Sequence, residues 1–198
     1  MADAVYTIGC STHSIEHFLM LLTKHKISAV ADVRSVPYSR LHPQFNREAL
    51  EDALKGSGIE YVFLGRELGA RSDDPRCYEN GKVRYERLAA TELFRDGLNR
   101  VRRGMLKHRI ALMCAEKDPL LCHRTILVAR KLAEDGVPVI HILADGSVET
   151  HEQVLSRLLD MLDIPENDLF RSREEASEDA YRIQGEAIAY SGPSEGRD

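Results

Sequence analysis

Cys114 and Cys122 stand eight positions apart, and Cys122 is followed directly by His123 and Arg124. A thiol next to a cation and a helix N-terminus ionises readily, and the resulting thiolate is both a nucleophile and a metal ligand. As a nucleophilic centre, Cys122 or Cys114 would attack, Arg124 would hold an oxyanion, and His123 or His13 would move protons. Glu116 shares a loop with His123, as a proton-transfer pair would. Familiar phosphatase loops keep the arginine closer to the cysteine than the ten positions between Cys114 and Arg124. As a metal centre, Cys10, Cys114, Cys122 and either His13 or His123 would supply tetrahedral ligands for zinc or iron. No Cys-x-x-Cys pair supports that alternative, so no cofactor is expected. The plainest reading makes the cysteines inert, small apolar residues, and it suits Cys10 and Cys77 best.

A second group of residues suits anions. Asp32 and Arg34 are separated by one residue at the end of an apolar run, so their side chains share a face. Asp32 can act as a general base or orient a histidine, and Arg34 can grip a carboxylate or phosphate; a simple ion pair is the competing reading. The following loop adds Tyr38, Ser39 and Arg40, and the turn near residue 10 adds Ser11. Gly69 and Arg71 belong to a glycine-containing loop, Arg66 to Arg71, in which backbone can approach an anion closely. Each loop also reads as an ordinary surface connection. The chain has no Walker sequence and no complete dinucleotide fingerprint, which disfavours an ATP or nicotinamide enzyme.

Five short apolar runs position these residues: Tyr6 to Cys10, Ala29 to Val33, Tyr61 to Leu64, Ile110 to Cys114 and Val139 to Leu143. Between them lie helical patterns. Ser14 caps one with Ile15, Phe18, Leu19 and Leu22 on its face; Asn46 caps Gln44 to Gly56; Val83 to Leu106 reads as one or two helices interrupted around Gly97. Another runs from Cys122 to Gly136, and Thr150 caps one that ends near Pro165. Alternating buried strands and amphipathic helices predict an α/β fold: a single doubly wound, Rossmann-like parallel five-stranded sheet with helices on both faces, in strand order 3-2-1-4-5. Ligands in such folds sit beyond the carboxyl ends of the strands, where these polar residues fall. His141 inside the fifth strand is expected to be a hydrogen-bonded core histidine, and Asp145-Gly146 a turn.

The 198 residues carry a net charge of −5 and are 43% apolar, enough for one core. An α/β domain over 1–165 and an acidic tail over 166–198 are expected, the tail partly disordered or docking as an edge strand. The tail holds nine acidic and four basic residues, whereas Arg34 to Arg109 holds sixteen basic and eleven acidic. That mildly basic middle suits phosphate or nucleic acid as well as plain solvation. No apolar run approaches the roughly 20 residues that span a bilayer, and the start of the chain lacks the pattern of a secretory signal. A cytoplasmic monomer or homodimer with reduced thiols is the expectation, with no membrane partner.

The segments TIGCSTHS, ADVRSVPYSRLHPQFN, GRELGAR and MCAEKDPLLCHR together resemble the domain of unknown function 488 family of bacterial and archaeal proteins, over about Val5 to Asp145. The resemblance implies a compact α/β protein whose signatures match Gly9, Ser11, His13, Asp32, Arg34, Pro37, Ser39, Leu68, Gly69, Arg71, Cys114, Glu116, Pro119, Cys122, His123 and Arg124. Family members usually have a second glycine where this chain has Ala70. The resemblance fixes no reaction. The functional expectation is an enzyme binding a phosphate-bearing substrate, a nucleotide or nucleic acid, in a Cys/His/Arg-lined cleft. A non-catalytic nucleic-acid or nucleotide binding module of a stress response, or a Cys/His metal-binding protein, is the alternative.

Overall fold

A computed structural model of the chain describes residues 4–166 and 171–192. The order of elements is β1 (Val5–Gly9), α1 (Ile15–Lys24), β2 (Ala29–Asp32), α2 (Arg47–Gly56), β3 (Glu60–Phe63), α3 (Gly65–Leu68), β4 (Tyr78–Glu79), β5 (Lys82–Val83), α4 (Tyr85–Ala89), α5 (Glu92–Met105), β6 (Ile110–Cys114), α6 (Arg130–Glu134), β7 (Val139–Ile142), β8 (Val148–Thr150), α7 (His151–Met161) and α8 (Arg173–Ile188). A six-residue π-helix, Arg124–Ala129, leads into α6. Among the described residues no helix is long and apolar enough to cross a membrane.

The fold is α/β with helices on both faces of the sheet, but the sheet is mixed and six-stranded rather than parallel and five-stranded. Its order is β3-β2-β6-β1-β7-β8. All five expected strands are present and mutually parallel. The additional β8 runs antiparallel to β7. It arises because Asp145 Oδ1 accepts from the Ser147 N–H at 2.9 Å, tightening the expected Asp145-Gly146 turn into a hairpin that needs no crossover. At three residues, β8 is too short to show a period. The expected order 3-2-1-4-5 is also corrected: β6 lies between β2 and β1. Both β1 and β6 are buried along their whole length, so their hydrophobic patterns cannot say which is more central.

One face of the sheet is covered by α1 and α2 through Phe18, Leu21, Leu22, Leu50 and Leu54. The other carries α3 to α8 through residues such as Leu68, Phe94, Leu132, Leu158 and Ala180. Ser14 and Thr150 cap their helices as expected. Asn46 precedes α2 without capping it, because its Oδ1 accepts from the Ser39 N–H at 2.7 Å. The break expected near Gly97 falls at Ala90 and Thr91, whose hydroxyl caps α5. Gly97 sits inside α5 for a steric reason: a Cβ there would lie 2.7 Å from Leu68 Cδ2. In the acidic tail, Arg173–Ile188 is helical rather than an edge strand. It is anchored by buried Ala176, Ala180 and Tyr181 and by the Gln184 amide donating to Leu120 O at 2.7 Å. Residues 167–170 and 193–198 of the tail lie outside the described residues.

His141 is a core histidine, as expected. It belongs to a buried chain in which Thr7 Oγ1 meets His141 Nδ1 at 2.8 Å, His141 Nε2 meets His151 Nδ1 at 3.0 Å, and His151 Nε2 meets Tyr181 OH at 2.9 Å. Burial holds both rings neutral, moving the His151 pKa from 6.5 to about 4 and His141 downward as well. The unfolded chain binds protons at these rings below pH 6.5 while the folded chain refuses them, so stability is full above that pH and falls as the solution is acidified. Urea unfolding is expected to show a loss of about 2–3 kcal/mol between pH 7 and pH 4 from His151, diminished in His151→Asn.

Candidate functional site

Cys114 ends β6 with its side chain on the face covered by α5 and α8. The loop beyond it turns at Pro119–Leu121, where Asp118 Oδ1 accepts from the Leu120 N–H at 2.9 Å, and delivers Cys122 and His123 back to the same place. Cys114 Sγ, Cys122 Sγ and His123 Nδ1 all lie within 4.8 Å of one another. Glu116 ties the thiols together: its Oε2 accepts from Cys122 Sγ at 2.9 Å and from Cys114 Sγ at 3.1 Å. His123 Nε2 meets Val33 O at 3.0 Å, and since a carbonyl only accepts, this nitrogen carries a proton and turns Nδ1 toward Cys114 Sγ, 3.7 Å away.

The four groups share their charge unevenly. Burial pushes the Cys122 thiol up, but the Cys114 hydrogen bond, the Arg124 guanidinium and His123 together hold it well below an ordinary cysteine. Cys114 moves the other way, through its hydrogen bond to Cys122 and burial. Burial, then the neighbouring Cys122 sulfur, raises Glu116. For His123 burial acts downward, and Cys122 and Glu116 outweigh it. Cys122 is therefore the sulfur that ionises first.

Arg124 was expected to meet a substrate anion. It is fully buried, and its guanidinium holds the loop instead: Nη1 donates to Glu116 O at 2.6 Å and Nη2 to Lys117 O at 3.3 Å. The loop can lie this close to β1 only because residue 9 is glycine, since a Cβ there would stand 2.0 Å from Glu116 O. The π-helix beginning at Arg124 is buried at every position, so it is neither the amphipathic first turn expected nor an exposed anion cradle.

The other expected residues divide between the two faces of the sheet. Asp32 and Arg34 do share a face, but it is the α1/α2 face. Register aligns Asp32 with Met113, so Cys114, one residue on, points the opposite way. There Arg34 Nε and Nη2 donate to Asp32 Oδ1 and Oδ2 at 2.9 and 2.6 Å, Nη2 also to Phe45 O, and Tyr61 OH to Asp32 Oδ2. Cys10 lies in the same core as Phe18 and Phe45, its thiol pushed up to about 11 by burial, and it does not join the Cys114 cluster. His13 is beside His17, with ring centroids 4.6 Å apart. Ser11 has a left-handed backbone, φ 46°, and its N–H donates to Ala115 O. Ser39 Oγ accepts from the N–H groups of Leu41 and His42, and Arg40 is exposed. Gly69 packs against Ser35 Oγ, which would stand 2.4 Å from an added Cβ.

A cavity of about 290 Å³ opens beside the cluster. Cys114, Glu116 and His123 line it together with Arg34, Ser35 and Arg71. The Arg71 guanidinium stacks over the Tyr190 ring, 4.1 Å from its centroid, and its backbone N–H donates to Ser35 Oγ at 3.0 Å. Ser35, Tyr85 and Tyr190 were not singled out from the sequence. Ser35 follows Arg34 directly and was legible as part of that loop. Tyr85 and Tyr190 carry no motif, and only the placement of α4 and the chain after α8 brings them here. Burial, followed by the nearby Cys122, Cys114 and Glu116, raises the Tyr85 phenol.

Neither curated proteins nor solved structures give a significant match. The family model described as domain of unknown function DUF488 matches residues 14–131, which include the β2 loop, Arg71, both clustered cysteines, His123 and Arg124 but stop short of Tyr190. With more than half of its length matched, the chain belongs to the DUF488 family.

Proposed function

We propose that the protein is an enzyme acting on a small phosphate-bearing substrate, a nucleotide or a nucleic-acid end, held in the cavity beside Cys114. One observation supports this reading: Arg71 and Ser35 line the same cavity as Cys114, Glu116 and His123. Arg71 makes no ion pair among the described residues, so its charge is free for a ligand, and its stack on Tyr190 fixes its direction. Arg34 contributes less than the sequence suggests, because Asp32 and Phe45 O already engage its Nε and Nη2. Glu116 touches both sulfurs and is placed to take a proton from either. In this reading Arg71 binds the substrate's anionic group, and the cysteine cluster reacts.

Calorimetric titration with inorganic phosphate and with a nucleoside monophosphate tests this. Both are expected to bind, the nucleotide more tightly, and Arg71→Ala is expected to weaken each about tenfold, the scale of one partly exposed charge-assisted contact. Arg71 is exposed, so its loss leaves the fold intact. Absence of binding, or equal affinity in the variant, would overturn the reading.

A further inference from the structure

Two sulfurs and an imidazole nitrogen from distant points of the loop meet within 4.8 Å, and a carboxylate oxygen touches both sulfurs. That is more convergence than a hydrophobic core needs. Buried thiols pack adequately as small apolar groups, whereas here each is directed at the same carboxylate. The histidine is oriented from behind: its Nε2–H is fixed on Val33 O, which leaves Nδ1 to face the sulfurs. Ligating histidines are held this way in metal centres, with the second ring nitrogen donating to a carbonyl or carboxylate. Arg124 and Gly9 in turn fix the backbone that carries Glu116.

We propose that Cys114, Cys122 and His123 bind one divalent ion of the zinc class through two sulfurs and Nδ1, with the fourth position open toward the cavity and Glu116 beside it. The donor set decides the class: two thiolates and an imidazole suit a borderline-soft ion and exclude magnesium and calcium, which demand oxygen. Binding converts two S–H groups and the ion into two metal–sulfur bonds and two protons released to solvent. Three protein ligands with a fourth, exchangeable position on a cavity is the pattern of a reactive rather than a closed structural site. The proposal does not rest on phosphate binding and is tested apart from it.

The test is titration of the reduced, chelator-treated full chain with cobalt(II), followed by zinc(II). One equivalent of cobalt is expected to give thiolate-to-cobalt charge-transfer absorption, and zinc is expected to abolish it by displacement. Cys122→Ser is expected to remove that absorption and weaken binding at least tenfold, while Cys10→Ser and Cys77→Ser keep both. A measurement on the unmodified protein guards against misfolded variants: zinc should slow the reaction of two of its four thiols with a thiol reagent, and Cys114 and Cys122 should be the two protected. Sub-stoichiometric cobalt without charge transfer, protection of no thiols, or a signal that follows Cys10 instead of Cys122 would overturn the assignment.

Discussion

Asp32→Ala is expected to destabilise the protein by about 3–5 kcal/mol, the range for removing one partner of a buried ion pair. Asp32 is fully buried and Arg34 nearly so, and the two form a bidentate pair. Both carboxylate oxygens are occupied: Oδ1 accepts from the Arg34 N–H and Nε, and Oδ2 from Arg34 Nη2 and Tyr61 OH. Truncation leaves a guanidinium without its counter-charge and a phenol without its acceptor, away from water. Asp32→Asn keeps the shape but not the charge and should fall between. Denaturant unfolding of the three proteins checks this, and a change below about 1 kcal/mol, the scale of an exposed pair, would show that the ion pair is dispensable. Asp32 thus shapes the end of β2, and phosphate affinity measured on folded variant should survive its loss better than that of Arg71→Ala.

Gly9→Ala should couple fold and site more directly. The new methyl group would overlap the Glu116 carbonyl oxygen, the acceptor of the Arg124 Nη1 hydrogen bond. Backbone cannot rotate aside as a side chain can, so the loop must shift, at about 1–3 kcal/mol for an overpacked site. The same movement draws the Glu116 carboxylate off Cys114 and Cys122. The expected signature is therefore double: a lower unfolding free energy, and faster modification of the two clustered thiols while Cys10 and Cys77 react as before. Wild-type thiol kinetics in a destabilised variant would show that the loop is not held by its fit against β1.

Much of the architecture is readable from the sequence because it depends on local chemistry. The five parallel strands are apolar runs of strand length, and the Ser14 and Thr150 caps are hydroxyls placed just before amphipathic stretches. The conjunction of Cys114, Glu116, Cys122 and His123 is legible too, since one short loop after a strand carries all four. Less visible are features with no period to display. The three residues of β8 and the two-residue strands β4 and β5 are of this kind, and so is α8, whose buried face of Ala176, Ala180, Tyr181, Gln184 and Gly185 holds no Leu, Ile, Val or Phe and reads as a polar tail.

Which residues could react, and that strand ends would carry them, follows from residue type and hydrophobic period, both properties of the linear chain. Which of them meet depends on how distant strands pair. Placing β6 between β2 and β1 set the register that aligns Asp32 with Met113, and the alternation of side chains along a strand then sent Asp32, Arg34 and Cys10 to one face and Cys114 to the other. Burial likewise turned Arg124 from a ligand contact into the clamp of its own loop, and α8 brought Tyr190 to Arg71 from more than a hundred residues away. Such outcomes depend on the pairing of distant segments, a property that no window of sequence contains.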